Sequence, residues 1–124
     1  MDKIREFKLE PMGGVRTKSH YGKAYVRMYG DSGVYSLISY GHEVAAGLMG
    51  TDGKAAEIFR IYDGTFDAVF GGWSATTARH LESFAAFIGG EYGGKAAWTA
   101  KPYTTIQAVM DYAKNGGTLE TVAA

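Results

Sequence analysis

Gly71-Gly72-Trp73-Ser74-Ala75-Thr76-Thr77-Ala78-Arg79-His80-Leu81-Glu82-Ser83-Phe84 marks the point where an extended segment ends and a helix begins. Ser74 reads as the N-cap, because its hydroxyl can accept a bond from one of the orphan N–H groups of a first helical turn. Beyond it, Ala78, Leu81, Ala85 and Ile88 recur at helical spacing and Phe84 widens the apolar stripe. This is the one strongly amphipathic helix in the chain. The residues before it read as strands, so the helix is expected to cover one face of a sheet.

Working upstream, Ile4 to Leu9 reads as a short strand ended by Pro11 and Gly13-Gly14, and residues 12–20 as a loop. Lys23 to Tyr29 places Ala24, Val26 and Met28 on one face and Tyr25, Arg27 and Tyr29 on the other. Gly30-Asp31-Ser32-Gly33 supplies a turn, and Val34 to Tyr40 returns as a hairpin partner. Glu43 to Met49 is rich in small residues, and its alanines imply close packing from above. After the turn at Gly50-Thr51-Asp52-Gly53, Ala56, Ile58 and Arg60 alternate with Glu57, Phe59 and Ile61. Asp63-Gly64 is the strongest two-residue hairpin signal, which makes Phe66 to Phe70 the last strand. Turns about every ten residues between alternating segments indicate an antiparallel meander.

Downstream, Gly89-Gly90 and Gly93-Gly94 end the helix and form a loop. Lys95 to Thr99 reads as extended. Thr104 or Thr105 is a plausible N-cap for a second helix carrying Ile106, Val109, Met110 and Ala113, closed by Asn115-Gly116-Gly117. The expected fold is α+β: a meander of about four to six strands, the Ser74 to Ile88 helix over it, and the Thr105 to Lys114 helix at one edge. Residues 1–124 form one domain, with 118–124 a loosely held tail.

At 124 residues the chain can bury a sizeable core without a metal or disulfide staple. Hydrophobic residues make up 46% and charged residues 21%, a globular balance. The absence of cysteine excludes disulfides, thiolate nucleophiles and thiolate metal sites. No apolar run approaches 18 residues and no secretory leader is visible, so a soluble cytoplasmic protein with no membrane partner is expected. Net charge is zero but unevenly spread. Residues 1–30 carry seven Lys or Arg against three acids, a net +4, and residues 31–70 carry two against six, a net −4. A basic edge and an acidic face follow, unless the two segments screen each other.

Gly89-Gly90-Glu91-Tyr92-Gly93-Gly94-Lys95 has the spacing of a phosphate-binding loop. Ala96 stands where a hydroxyl should hold magnesium, the loop follows a helix, and no helix pattern begins at Lys95. His20, His42 and His80 are far apart in sequence without ligand spacing, so no metal and no cofactor are expected. Ser74 and His80 are six residues apart on one helix start, separated by more than a turn, and cannot share a hydrogen bond. No catalytic constellation emerges, and a non-enzymatic role is expected.

Trp73, Arg79 and His80 are the candidate partner-binding residues, expected to cluster where the last strand meets the helix. The bland alternative for His80 is a partly buried histidine bonded to a neighbouring strand. Tyr25, Tyr29 and Tyr35 are expected to share one hairpin face with Arg27 among them, as core under the helix, as a protein-binding patch or as a platform for unpaired bases.

Four segments together resemble a family of small uncharacterised proteins carried by phages and mobile elements of gut bacteria. They are Ser19-His20-Tyr21-Gly22-Lys23-Ala24, Leu37-Ile38-Ser39-Tyr40-Gly41-His42-Glu43-Val44-Ala45, Trp73 through Phe84, and Gly93-Gly94-Lys95-Ala96-Ala97-Trp98. The third carries the family pattern Tyr or Trp, Ser, x, Thr-Thr, x, Arg-His in full; the second departs at Gly41-His42, where an acid then Thr is usual. The resemblance spans residues 19–98 and implies a setting rather than a chemistry: small accessory proteins of phages often bind and block host machinery, including restriction and CRISPR nucleases. The expected partner is therefore a host protein such as a defence nuclease, with Asp52, Glu57, Asp63 and Asp67 as a mimic of a phosphate backbone. A homodimer is a further arrangement. The alternative is a single-stranded nucleic-acid binder using Tyr25, Arg27 and Tyr29.

Overall fold

The structure, a computed structural model, describes residues 4–122. Six strands, β1 (Ile4–Lys8), β2 (Ala24–Tyr29), β3 (Val34–Ser39), β4 (His42–Leu48), β5 (Glu57–Ile61) and β6 (Tyr103–Thr104), form one sheet in sequence order. The first five make an antiparallel meander, and β6 returns after the helices to pair parallel with β5. The helices are α1 (Gly64–Phe70), α2 (Ala75–Ile88), α3 (Lys95–Ala100) and α4 (Ile106–Asn115). The fold is α+β, as its alternation and helix periodicity imply.

Residues opposite each other in an antiparallel pair share a face. Val26 stands opposite Leu37, and Leu37 opposite Ala45, so these three line the α2 side. Ser74 caps α2 by accepting from the Thr77 N–H at 3.1 Å. The other end closes when Gly89 and Gly90 donate to Ala86 and Ala85 carbonyls, the paired bonds of a Schellman motif. Leu81, Phe84, Ala85 and Ile88 bury against the sheet, contributing roughly 1.5–3 kcal/mol for each large side chain. The small residues of β4 make room for this. A Cβ on Gly47 would come within 2.5 Å of Ile88 Cδ1.

The opposite face presents Val34, Ala46, Phe59 and Ile61 as a second apolar surface. α4 covers it through Val109, Ile106 and Met110, so this helix lies on a sheet face and not at an edge. Four alternating apolar residues on the far face need a cover that α2 cannot supply.

Three local expectations are overturned. Phe66 to Phe70 is helical, because Asp63 Oδ1 accepts from the Phe66 N–H at 2.8 Å and caps α1 in place of starting a hairpin. Phe66 and Phe70 then stack one turn apart, their ring centroids 5.4 Å from each other. Lys95–Ala100 is helical rather than extended; Ala96 and Ala97 favour that state, and the Thr99 hydroxyl donates to the Lys95 carbonyl. Tyr35 is separated from Tyr25 and Tyr29, since its partner is Met28 and it faces α2, beside Phe87. Within 118–122, Glu120 O accepts from Thr104 and Val122 bridges Tyr103; residues 123–124 lie outside the described range.

Candidate functional site

Three of the segments quoted for the resemblance meet under α2. Ser39 at the end of β3 places its Oγ 2.7 Å from His80 Nδ1 and 3.0 Å from Thr77 Oγ1, both on α2. His20, from the loop before β2, meets Ser83 Oγ through Nε2 at 3.0 Å, and its ring lies edge-on to His80 with centroids 4.6 Å apart. Ser83 also receives the Met12 N–H at 3.1 Å, which fastens the 12–20 loop to the helix. Helical spacing explains the geometry: Thr77, His80 and Ser83 recur every three residues and project from one side of α2.

All five polar side chains are buried. Burial disfavours the imidazolium, and it holds His80 down at about 4 and His20 below its ordinary value. His20 opposes charging of His80, and Arg79 acts in the same sense on both, whereas Glu10 acts in the reverse sense on His20. At neutral pH the pair is uncharged. Ser39 Oγ, enclosed by sheet and helix, offers no approach for a substrate carbonyl, so the bond to His80 serves to join β3 to α2.

Around this buried cluster lies an exposed aromatic surface. Tyr21-Gly22 and Tyr40-Gly41 each form a two-residue turn with positive φ at both positions: 52° and 69°, then 50° and 80°. That is the type I′ pattern, which favours Asn or Gly at its first position. The two turns abut, because Lys23 donates its N–H to His20 O and accepts the Tyr40 N–H. Tyr21 is 75% exposed and Tyr40 51% exposed, and Tyr40 stacks on His80 with centroids 5.6 Å apart. Past Gly41, His42 meets an Asp63 carboxylate oxygen at 3.2 Å and leans on Phe66, leading to exposed Val69 and Phe70 on α1.

The expected grouping of Trp73, Arg79 and His80 does not form. Trp73 turns toward Tyr92, donating from Nε1 to its hydroxyl at 2.5 Å, with Lys95 Nζ 4.7 Å above the indole ring. Arg79 is exposed beside residues 14–17, and His80, the next residue of α2, is buried beneath that helix. Trp73 precedes the Ser74 cap and so lies outside α2, while Arg79 and His80, adjacent on it, are about 100° apart around its axis.

The acidic set does not line up as a row of free charges either. Asp63 caps α1, and Asp67 accepts from the Asp63 N–H and the Tyr103 hydroxyl. Glu57 accepts from the Tyr112 hydroxyl on the α4 side, and Asp52 sits apart in the exposed Thr51–Lys54 turn. Tyr25, Arg27 and Tyr29 do share a face, the one opposite α2. Their cation is already engaged: Arg27 reaches Glu6 at 3.3 Å and Glu43 at 3.4 Å, and Glu43 also accepts from Tyr29 and Ser36.

The loop with phosphate-binding spacing does lead into a helix, α3, contrary to expectation. Its first two glycines close α2 and its Tyr92 is buried in the main core, so its backbone is committed to the fold. Sequence reasoning missed Ser39, Thr77, His20 and Ser83. The signal available was a hydroxyl or imidazole at each contact-facing step in segments otherwise apolar on that side. Among the described residues there is no group of three or more His, Asp or Glu able to hold a metal ion, and no helix is long and apolar enough to cross a membrane.

No match was found among curated proteins or among solved structures. The family model described as "Family of unknown function (DUF8033)" matches residues 7–100. That span runs from the end of β1 through β2–β5, α1, α2 and α3, and holds the histidine cluster and both tyrosine turns. The chain belongs to this family of unknown function, DUF8033.

Proposed function

We propose that the chain is a non-enzymatic accessory protein, carried by phages or mobile elements of gut bacteria, that binds a host protein in the cytoplasm and inhibits or modulates it. The partner class suggested by the resemblance is a defence nuclease, of restriction or CRISPR type. One observation carries the binding role: Tyr21 and Tyr40 occupy left-handed positions of adjacent turns while exposing most or half of their surface. Holding a non-glycine residue there costs on the order of 1–3 kcal/mol. Little core burial offsets that cost, and Asn fits either turn better.

Tyrosine supplies large contact area with few rotatable bonds, which suits it to a protein interface. Buried His80 supports Tyr40 from beneath, and the exposed Val69 and Phe70 on α1 extend the same surface. The fixed turns present both rings without an ordering cost at binding.

The test is a pull-down of the tagged chain from a gut-bacterial lysate, with and without nuclease treatment, read by mass spectrometry. A single host protein retained after nuclease treatment is the expected result. Recovery that vanishes with nuclease contradicts it and favours nucleic-acid binding through Tyr25 and Tyr29, with affinity that falls steeply in salt.

A further inference from the structure

The two edges of the sheet are finished differently. At the β6 edge, Val122 bridges Tyr103, and Lys101 Nζ donates to Ile58 O at 3.3 Å over the part of β5 that β6 does not reach. At the other edge, all five residues of β1 are exposed and, among the described residues, β1 pairs with β2 alone. An uncovered edge presents a row of unpaired N–H and C=O groups, a template for another strand.

The hydrogen-bond parity of that edge is fixed. Leu9 N–H donates to Ala24 O at 2.9 Å, directly across the β1–β2 register, so Leu9 belongs to a hydrogen-bonded pair. Stepping back by two, Phe7 and Arg5 also direct their backbone groups at β2. Ile4, Glu6 and Lys8 therefore direct theirs outward.

A second β1 related by a two-fold axis can meet this edge in few registers. Centring on Arg5, Glu6 or Lys8 sets that charge against its own copy, which is destabilising. Centring on Phe7 sets ring against ring, and places Glu6 opposite Lys8 of the second copy and Lys8 opposite its Glu6. In that register Phe7 falls at a non-hydrogen-bonded pair, where side chains approach closest. The two Glu6–Lys8 pairs fall at hydrogen-bonded positions and exchange both N–H···O bonds. Side-chain charge selects this alignment, and the backbone parity of the edge is compatible with it.

We propose that the chain forms a homodimer by antiparallel pairing of β1 with β1 of a second copy, centred on Phe7, which joins two six-stranded sheets into one. On the α2 side, Phe7 is 38% exposed and already packs edge-on against Phe87 at 5.5 Å, so the pairing joins two aromatic clusters across the axis. On the opposite side, the Glu6–Lys8 pairs continue the Glu6–Arg27–Glu43 chain of charges. An edge contact of this length buries little area, so the dimer is concentration-dependent. The proposal is independent of the host partner.

Sedimentation velocity across a dilution series tests it. The unmodified chain is expected to shift from monomer to dimer as concentration rises. Lys8→Glu and Glu6→Lys are each expected to remain monomeric, since each sets like charges opposite one another twice. An equimolar mixture of the two restores both opposite-charge pairs and is expected to dimerise. Because Glu6→Lys also removes an Arg27 contact, Lys8→Pro provides a second variant. It deletes an outward N–H and no bond to β2, so it is expected to keep the fold by circular dichroism and lose the dimer. A chain that stays monomeric at every concentration overturns the proposal. So does a dimer that survives Lys8→Pro, or a mixture that stays monomeric while the unmodified chain dimerises.

Discussion

Ser39 on β3 and His80 on α2 meet at 2.7 Å inside the core, and the same Ser39 oxygen also contacts Thr77. One hydroxyl thus serves two polar groups on the helix that organises the fold. Replacing Ser39 by Ala leaves His80 Nδ1 and the Thr77 hydroxyl buried without this partner, which costs about 1–3 kcal/mol. Chemical denaturation of Ser39→Ala at neutral pH is expected to show that loss. An unchanged midpoint would mean that the two groups find other partners.

Acid should act through His80. Its folded value lies at about 4, below the ordinary 6.5, so as pH falls the unfolded chain takes up the proton first. The stability held by the neutral ring is complete above about 6.5 and is lost progressively down to about 4, amounting to roughly 3 kcal/mol. His20 is shifted in the same direction. Melting curves of the unmodified chain and His80→Gln, compared from neutral pH to pH 4, are expected to converge as pH drops. Parallel pH dependences would contradict this.

Gly72→Ala should be among the most damaging small substitutions. Gly72 has φ of 79°, and an added Cβ would lie 2.3 Å from Arg60 Nη2 and 2.4 Å from the Tyr103 hydroxyl. Both neighbours are held: Arg60 donates to the Thr99 and Lys101 carbonyls and lies over the Tyr103 ring. Overpacking together with a left-handed alanine is expected to cost about 3 kcal/mol. Gly47→Ala clashes chiefly with Ile88 Cδ1, the flexible end of that side chain, and approaches Ile88 Cγ2 and the Glu57 carbonyl only to 3.3 and 3.4 Å, so it should cost less, a contrast that thermal melts can resolve.

The strands of the meander and α2 were legible because alternation, turn glycines and the Ser74 cap agreed with one another. Asp63-Gly64 misled because the same dipeptide suits a hairpin or a helix start, and only the capping bond to Phe66 decides between them. The faces of Tyr25 and Tyr35 depended on register, which one residue in the turn reverses. The histidine cluster was least legible of all. Ser39 and His80 are 41 residues apart, and nothing in either segment names the other. The bland reading of His80, a partly buried histidine bonded to a neighbouring strand, agrees in the strand bond, and the structure buries the ring completely.

Alkaline titration should isolate Tyr103. Burial first, and then its hydrogen bond to Asp67 Oδ1 at 2.8 Å, push its hydroxyl up to about 12, against the opposing charge of Arg60. A raised value means that the stability it holds is complete below about 10 and is lost as pH rises toward 12. Following tyrosinate absorbance, Asp67→Asn is expected to bring the last tyrosine to titrate back toward 10. An unchanged final step would show that Asp67 does not govern it.

The binding role of the tyrosine turns is tested most directly by Tyr21→Asn and Tyr40→Asn, singly and together, with thermal stability and host-protein capture measured on the same preparations. Asn relieves the left-handed positions, so melting temperatures are expected to hold or rise, less whatever the Tyr40–His80 stack contributes. Capture of the host protein is expected to be lost in the double variant. Capture at the unmodified level by a stable double variant would contradict the account, because the strained, exposed tyrosines would then have no part in binding.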